Sequence, residues 1–100
     1  MLDFLDVFNA VAKYSKGIPS QYIPATSLDD KISESTLKLD SLDITLTYAM
    51  LSDMYQIDQR LEDQWPTESV RALKEFIDEN KADDPTVRFD NIKDLMREYK

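Results

Sequence analysis

One stretch of this chain alternates apolar and polar residues as a β-strand does, and it constrains the fold more than any other feature. Apolar side chains recur there at a spacing of two: Leu37 and Leu39, then Ile44, Leu46 and Tyr48. The β-branched residues at 44, 45 and 47 add strand propensity. We find no second stretch in the sequence that would pair with this strand, and an isolated strand leaves its backbone hydrogen bonds unsatisfied.

The same stretch fits a helix once the residues that follow it are included. Four apolar residues then share one face at spacings of four, three and four: Ile44, Tyr48, Leu51 and Tyr55. Asp40 suits the N-cap position, and Asp43 three residues later resembles a capping box. We therefore predict a helix from about residue 41 to 56. Its outward face consists of Leu42, Leu46, Ala49, Met50 and Asp53.

Further helices are predicted where apolar residues recur at three- and four-residue spacing. The first covers residues 2 to 15, and Gly17 is suited to end it in a left-handed conformation. A long loop containing two prolines follows. Another helix runs from a cap at Thr67 to Asn80, and the tail carries a last apolar stripe: Phe89, Ile92, Leu95, Met96 and Tyr99. The prediction is an all-α helical bundle.

Charge and residue usage limit the classes of function. Twenty acids against twelve bases give a net charge of −8. Such a surface repels nucleic acid and anionic membranes, whereas basic protein surfaces attract it. The first eight residues carry acids where a signal peptide needs positive charge, and no apolar run is long enough to span a membrane. We expect a soluble, cytoplasmic monomer that neither binds nucleic acid nor inserts into membranes.

The chain lacks several of the side chains that enzymes commonly use for catalysis. It contains no cysteine and no histidine, so it has no thiolate nucleophile, no ordinary base for a serine triad and none of the usual zinc ligands. Its only glycine, Gly17, excludes glycine-rich phosphate loops. We expect no catalytic residues and no resident metal, and the protein is predicted not to be an enzyme.

Ser41 nevertheless lies at a position with chemical meaning. A helix N-terminus has free N–H groups and partial positive charge, which favour a phosphate. A serine at such a terminus with no base beside it is better explained as a substrate for modification than as a nucleophile. The flanking Asp40 and Asp43 are expected to repel a phosphate on Ser41, so that the group points outward.

The segment Asp40-Ser41-Leu42-Asp43 resembles the attachment motif of acyl carrier proteins, in which the serine receives 4′-phosphopantetheine. Leu37 matches the leucine four residues before that serine. Further positions match the core pattern of the later helices: Leu51, Tyr55, Val70, Phe76 and Ile77. The resemblance extends from residue 1 to about residue 80 and is loose over the first 36 residues.

The resemblance implies a small four-helix carrier-like bundle over residues 1–80, with a long loop between helices 1 and 2. Residues 81–100 then form an extra C-terminal helix that packs on the same domain. A phosphopantetheinyl transferase would load Ser41, flanked by Asp40, Leu42 and Asp43, from coenzyme A. The carrier would hold an acyl or aminoacyl thioester and pass it between acyl-activating or acyl-transferring enzymes of fatty acid, lipid, polyketide or other secondary-metabolite synthesis.

The sequence departs from the family pattern at two places. Lys38 stands where the motif usually has a small residue, often glycine, and Leu39 stands where it has a small or apolar one. The outward face of the second helix, which in the family is rich in glutamate and contacts basic enzymes, is largely apolar here. Either this face (residues Leu42, Leu46, Ala49, Met50 and Asp53) binds a more apolar partner, or the C-terminal helix covers it. A third interpretation has the tail packing elsewhere or dimerising.

A rival function stays open at the level of sequence. A small acidic helical protein of this kind also fits an adaptor or inhibitor that occupies a basic groove on a partner enzyme and is never modified. The modification state of Ser41 separates the two hypotheses.

Overall fold

The computed structural model describes residues 3–16, 19–32, 37–89 and 91–98, and its regular elements over these ranges are all helical. The α-helices are α1 (Phe4–Ser15), α2 (Ser41–Tyr55), α3 (Val70–Asn80), α4 (Pro85–Arg88) and α5 (Ile92–Glu98). Two 3₁₀ turns, Pro19–Gln21 and Gln59–Gln64, lie in the connections. The strand alternative for the stretch from residue 37 to 48 is therefore wrong, and the all-α prediction is confirmed.

The predicted start of α2 is confirmed in detail. The Asp43 N–H donates to Asp40 Oδ1 at 2.8 Å, and the Asp40 N–H donates to Asp43 Oδ2 at 3.3 Å, which completes a capping box. The helix ends at Gln56, which adopts a left-handed conformation with φ of 54°. A capping box supplies acceptors for backbone N–H groups that otherwise have no partner in the first turn of a helix. It therefore fixes the start of α2, at which Ser41 is the first residue.

The predicted cap of α3 is wrong by two residues. Ser69, rather than Thr67, accepts from the Ala72 N–H at 3.1 Å, and the helix begins at Val70. Backbone contacts with the loop before α2 explain the difference. The Val70 N–H donates to the Asp30 carbonyl at 3.0 Å, so a helix beginning earlier would displace this tertiary bond. Gly17, the predicted stop of α1, lies outside the described residues.

The core has α1 at its centre. This helix packs against both α2 and α5. Fully buried apolar side chains come from four helices and meet in one cluster: Val7, Phe8 and Val11 of α1, Leu51 and Met54 of α2, Leu73 and Ile77 of α3, and Leu95 of α5. Burying each such side chain contributes roughly 1.5–3 kcal/mol before the entropy of ordering is subtracted.

The C-terminal segment packs on the core and is also attached to the end of α2. Leu95 is fully buried, and α5 lies against α1. The Tyr55 carbonyl accepts from the N–H groups of Ala82 and Asp83 at 3.1 and 3.2 Å. Leu42 and Leu46 meanwhile remain 64% and 44% exposed. The described part of the tail therefore does not cover the outward face of α2, and that interpretation is wrong. Tyr99 lies outside the described residues.

Candidate functional site

Ser41 is the first residue of α2 and is exposed to solvent. Among the described residues its hydroxyl has no hydrogen-bond partner, while its carbonyl accepts from Thr45 Oγ1 at 2.8 Å. Asp40 precedes it as the exposed cap residue, and Leu42 follows it with 64% of its surface exposed. Three of the four residues of the segment 40–43 are thus accessible to solvent.

Asp43, the fourth motif residue, is turned into the molecule. Only 6% of it is exposed, and its Oδ2 lies 2.9 Å from Lys16 Nζ at the end of α1. The hydrogen bond from Lys16 holds the pKa of Asp43 below its ordinary value, against the opposing effect of burial. The charge of Asp43 is thus paired with the partly buried ammonium of Lys16, and the expected repulsion between Asp43 and a phosphate on Ser41 stays a prediction.

A shallow depression of about 420 Å³ lies at the N-terminal end of α2. We call it the lysine depression, and its lining residues are Lys16, Gln21, Ile23, Lys38 and Asp40. Among these, Lys38 has a φ of 59°, in the left-handed region that glycine adopts without strain. A glycine would adopt this conformation at lower cost than the lysine does.

The predicted partner-binding face of α2 is mostly open. Leu42, Leu46, Ala49 and Asp53 are exposed, whereas Met50 is half-buried and its sulfur lies 3.6 Å from Ser15 Oγ. Asp53 is the only charged residue in this group of five. A partner that binds this face would meet mainly apolar surface, and Met50 would contribute only part of its side chain.

A second depression runs along α2 and was not anticipated from the sequence. Its volume is about 590 Å³, and we call it the carboxylate depression. Its lining residues come from α2 and from the segment around the second 3₁₀ turn: Thr45, Tyr48, Ala49, Ser52, Asp58, Gln59, Glu62, Asp63 and Trp65. The helical spacing of residues 45, 49 and 52 is visible in the sequence, but the facing segment is brought there by tertiary packing.

Aromatic packing supports this second depression. Trp65 stacks on Tyr48 with ring centroids 5.1 Å apart, and its ring centroid lies 5.2 Å from that of Phe76. The Tyr48 hydroxyl donates to the Pro66 carbonyl at 2.7 Å, and burial raises the pKa of Tyr48. Trp65 is therefore a packed residue of the connection, and part of its surface faces the depression.

Comparisons with known proteins add no further assignment. No family model, no curated protein and no solved structure matches this chain. Within the described ranges, no helix has the length and apolar character that crossing a bilayer requires. The same ranges hold no group of three or more acidic, histidine or cysteine side chains arranged for a metal ion. Any functional conclusion therefore rests on the residues around Ser41.

Proposed function

We propose that this chain is a carrier protein on which Ser41 is esterified by 4′-phosphopantetheine. The observation that carries the proposal is the setting of Ser41: an exposed hydroxyl without a hydrogen-bond partner among the described residues, at the first position of a helix whose start is held by a capping box. The chain contains no histidine, the ordinary base of a serine triad. Such a serine suits modification by another enzyme.

The residues around Ser41 fit the proposed group. The N–H groups of Ser41 and Leu42 have no acceptor among the described residues, and the helix N-terminus favours a phosphate. Lys16 and Lys38 line the adjacent depression together with Asp40. Lys16 is paired with Asp43, whereas Lys38 has no ion-pair partner among the described residues, which leaves its ammonium to meet a phosphate. When bound, phosphopantetheine supplies a terminal thiol that holds an acyl or aminoacyl group as a thioester.

In this proposal the chain itself catalyses nothing, and its own residues position the carried group for partner enzymes. Asp40 and Asp43 hold the first turn of α2, and Lys16 joins that turn to α1. A phosphopantetheinyl transferase and acyl-activating or acyl-transferring enzymes are the proposed partners. The open apolar face at Leu42 and Leu46 is their proposed contact, because about half or more of each side chain is exposed beside Ser41.

An acidic adaptor or inhibitor is the second candidate function. It is favoured by the net charge of −8 and by the exposed carboxylates outside α2, such as Glu62, Asp63 and Glu75. Such a protein would bind a basic partner through its charge and would need no modification of Ser41.

Intact mass separates the two functions. The protein is incubated with coenzyme A, magnesium and a broad-specificity phosphopantetheinyl transferase, together with the variants Ser41→Ala and Ser27→Ala. Ser27 is the matched control because Ser27-Leu28-Asp29 repeats three residues of the motif without a following long helix. We expect one phosphopantetheine on the wild type and on Ser27→Ala, and none on Ser41→Ala. A folded wild type that stays unmodified with several transferases would favour the adaptor.

A further inference from the structure

The last turn of α2 receives its hydrogen-bond donors from two different parts of the chain. An α-helix leaves its last four carbonyl groups without partners inside the helix. Gln56, directly after α2, supplies the first two of these carbonyls: its N–H donates to the Ser52 carbonyl, and its side-chain amide donates to the Asp53 carbonyl at 2.6 Å. The donors for the carbonyls of Met54 and Tyr55 come instead from the C-terminal segment.

Three donors of that segment bind these two carbonyls. The N–H groups of Ala82 and Asp83 donate to the Tyr55 carbonyl at 3.1 and 3.2 Å. Arg88 Nη2 donates to the Met54 carbonyl at 2.9 Å, and Arg88 Nε lies 3.2 Å from Asp83 Oδ2, which orients the guanidinium. A cation at the C-terminal end of a helix also interacts favourably with the helix dipole.

The same segment has a second attachment of a different kind. We call residues 81–98 the C-terminal strap. Leu95 of α5 is fully buried, and α5 packs on α1. Among the described side chains of the strap, two are buried: Pro85 and Leu95. The strap is thus joined to α2 by hydrogen bonds that water can replace, with 40% of the Arg88 side chain exposed, and to α1 by apolar contacts.

We propose that the C-terminal strap is a releasable cap on α2, which opens as one unit while the helices before it stay folded. Segments with few buried apolar side chains and with hydrogen bonds near solvent open at a lower free energy than global unfolding requires. The start of α2 is held separately, by the capping box and by the pair between Lys16 and Asp43. The inference does not rest on the carrier function, because it requires no modification of Ser41.

Release of the strap changes one end of α2 and leaves the other as it is. Ser52 lies in the turn that the strap caps, and Asp58 and Gln59 follow this turn closely. All three residues line the carboxylate depression. Opening therefore alters this end of the depression, whereas Ser41 keeps its place at the start of the helix. The strap is in this way a device that regulates a surface of α2 to which it is not itself exposed.

Native-state hydrogen exchange of the full chain tests whether the strap opens separately. The amides of Ala82, Asp83 and Leu95 report on the strap, and those of Val11 and Leu51 report on the core. We expect the strap amides to share one protection factor and to exchange at least about tenfold faster than the core amides at low urea concentrations. Equal protection of strap and core would overturn the inference, because the strap would then open only when the whole protein unfolds.

A pair of arginine variants connects the opening to α2. Arg88→Met removes the side-chain donor to α2, and we expect about tenfold faster exchange at the strap amides and at the amide of Gln56. The amide of Ile44, at the start of α2, should change by less than about twofold. Arg97→Met is the matched control, because Arg97 lies in the same strap, is 79% exposed and has its ion pair within α5. Equal acceleration in the control, or at Ile44, would overturn the inference.

A third variant weakens the other attachment without touching α2. Leu95→Val removes one methylene from the contact between α5 and α1. If the strap opens as one unit, exchange at Ala82 and Asp83 accelerates by the same factor as exchange at residue 95. Acceleration confined to α5 would show that the two attachments open independently and would contradict the proposed device.

Discussion

The two depressions at α2 differ in charge although they lie on the same helix. The lysine depression, at the N-terminal end, contains Lys16 and Lys38. The carboxylate depression, farther along the helix, contains Asp58, Glu62 and Asp63 and no cation. In a protein with a net charge of −8, lysines therefore line the depression at the serine end of α2, beside Asp40, whereas the lining farther along the helix has carboxylates only as its charged groups. A charged group of a partner would therefore interact differently with the two depressions.

Replacing Lys16, which follows α1 and pairs with Asp43 of α2, should have the largest effect on stability. In Lys16→Met the carboxylate of Asp43 stays buried without its ammonium, and we expect the free energy of unfolding to fall by about 3 kcal/mol. Urea denaturation followed by circular dichroism measures this change. Lys13→Met, at an exposed position of the same helix, is the control and should change stability by less than about 0.5 kcal/mol. Similar losses in both variants would show that the Lys16–Asp43 pair has no special role.

The floor of the carboxylate depression is the next feature to test. Trp65→Leu removes the ring that stacks on Tyr48 and contacts Phe76, and we expect a loss of about 2 kcal/mol in unfolding free energy. Trp65→Phe keeps a ring and should retain most of that energy. If Trp65→Leu has the same free energy of unfolding as the wild type, the Trp65 packing between α2 and the second 3₁₀ turn contributes little to stability. The depression would then not depend on this ring for its shape.

Backbone conformation in the lysine depression predicts a stabilising change. Lys38→Gly relieves the left-handed conformation at a φ of 59° and should raise the unfolding free energy by about 1 kcal/mol. Lys38→Asn, which also tolerates this region and lacks the charge, should retain part of the gain. Lys13→Gly, within α1, should instead lose about 1 kcal/mol. Destabilisation by Lys38→Gly would mean that the lysine side chain contributes more than its backbone conformation costs.

The smallest expected effect is on pH dependence. Because the pKa of Asp43 is lower in the folded protein than in the unfolded chain, its contribution is complete above about pH 4, the ordinary range for aspartate, and is lost as the pH falls through the folded value. Unfolding free energy measured between pH 6 and pH 3 should therefore fall less steeply for Asp43→Asn than for the wild type. Parallel curves for the two proteins would show that Asp43 does not titrate differently on folding.

Local signals were sufficient to predict several elements of the fold. The capping box at Asp40 and Asp43 and the end of α2 near residue 56 follow from residues close together in the chain. The exposure of Leu42 and Leu46 follows from the 3.6-residue period. Thr67 and Ser69 are both good caps, however, and the choice between them was decided by the hydrogen bond between Val70 and Asp30, which are 40 positions apart.

By itself, then, the sequence determined an all-helical chain, the position of Ser41 at the start of a long helix and the open apolar face beside it. Capping and helical periodicity act over a few residues, and no competing strand was available to pair. Only the tertiary structure decided that Asp43 binds Lys16 and that the described tail packs on α1 and leaves the outward face of α2 exposed. It also decided that Glu62 and Asp63 line the same depression as residues of α2. These outcomes depend on contacts between residues that are distant in the chain. Several packings have comparable contact energies, and no local sequence pattern selects among them.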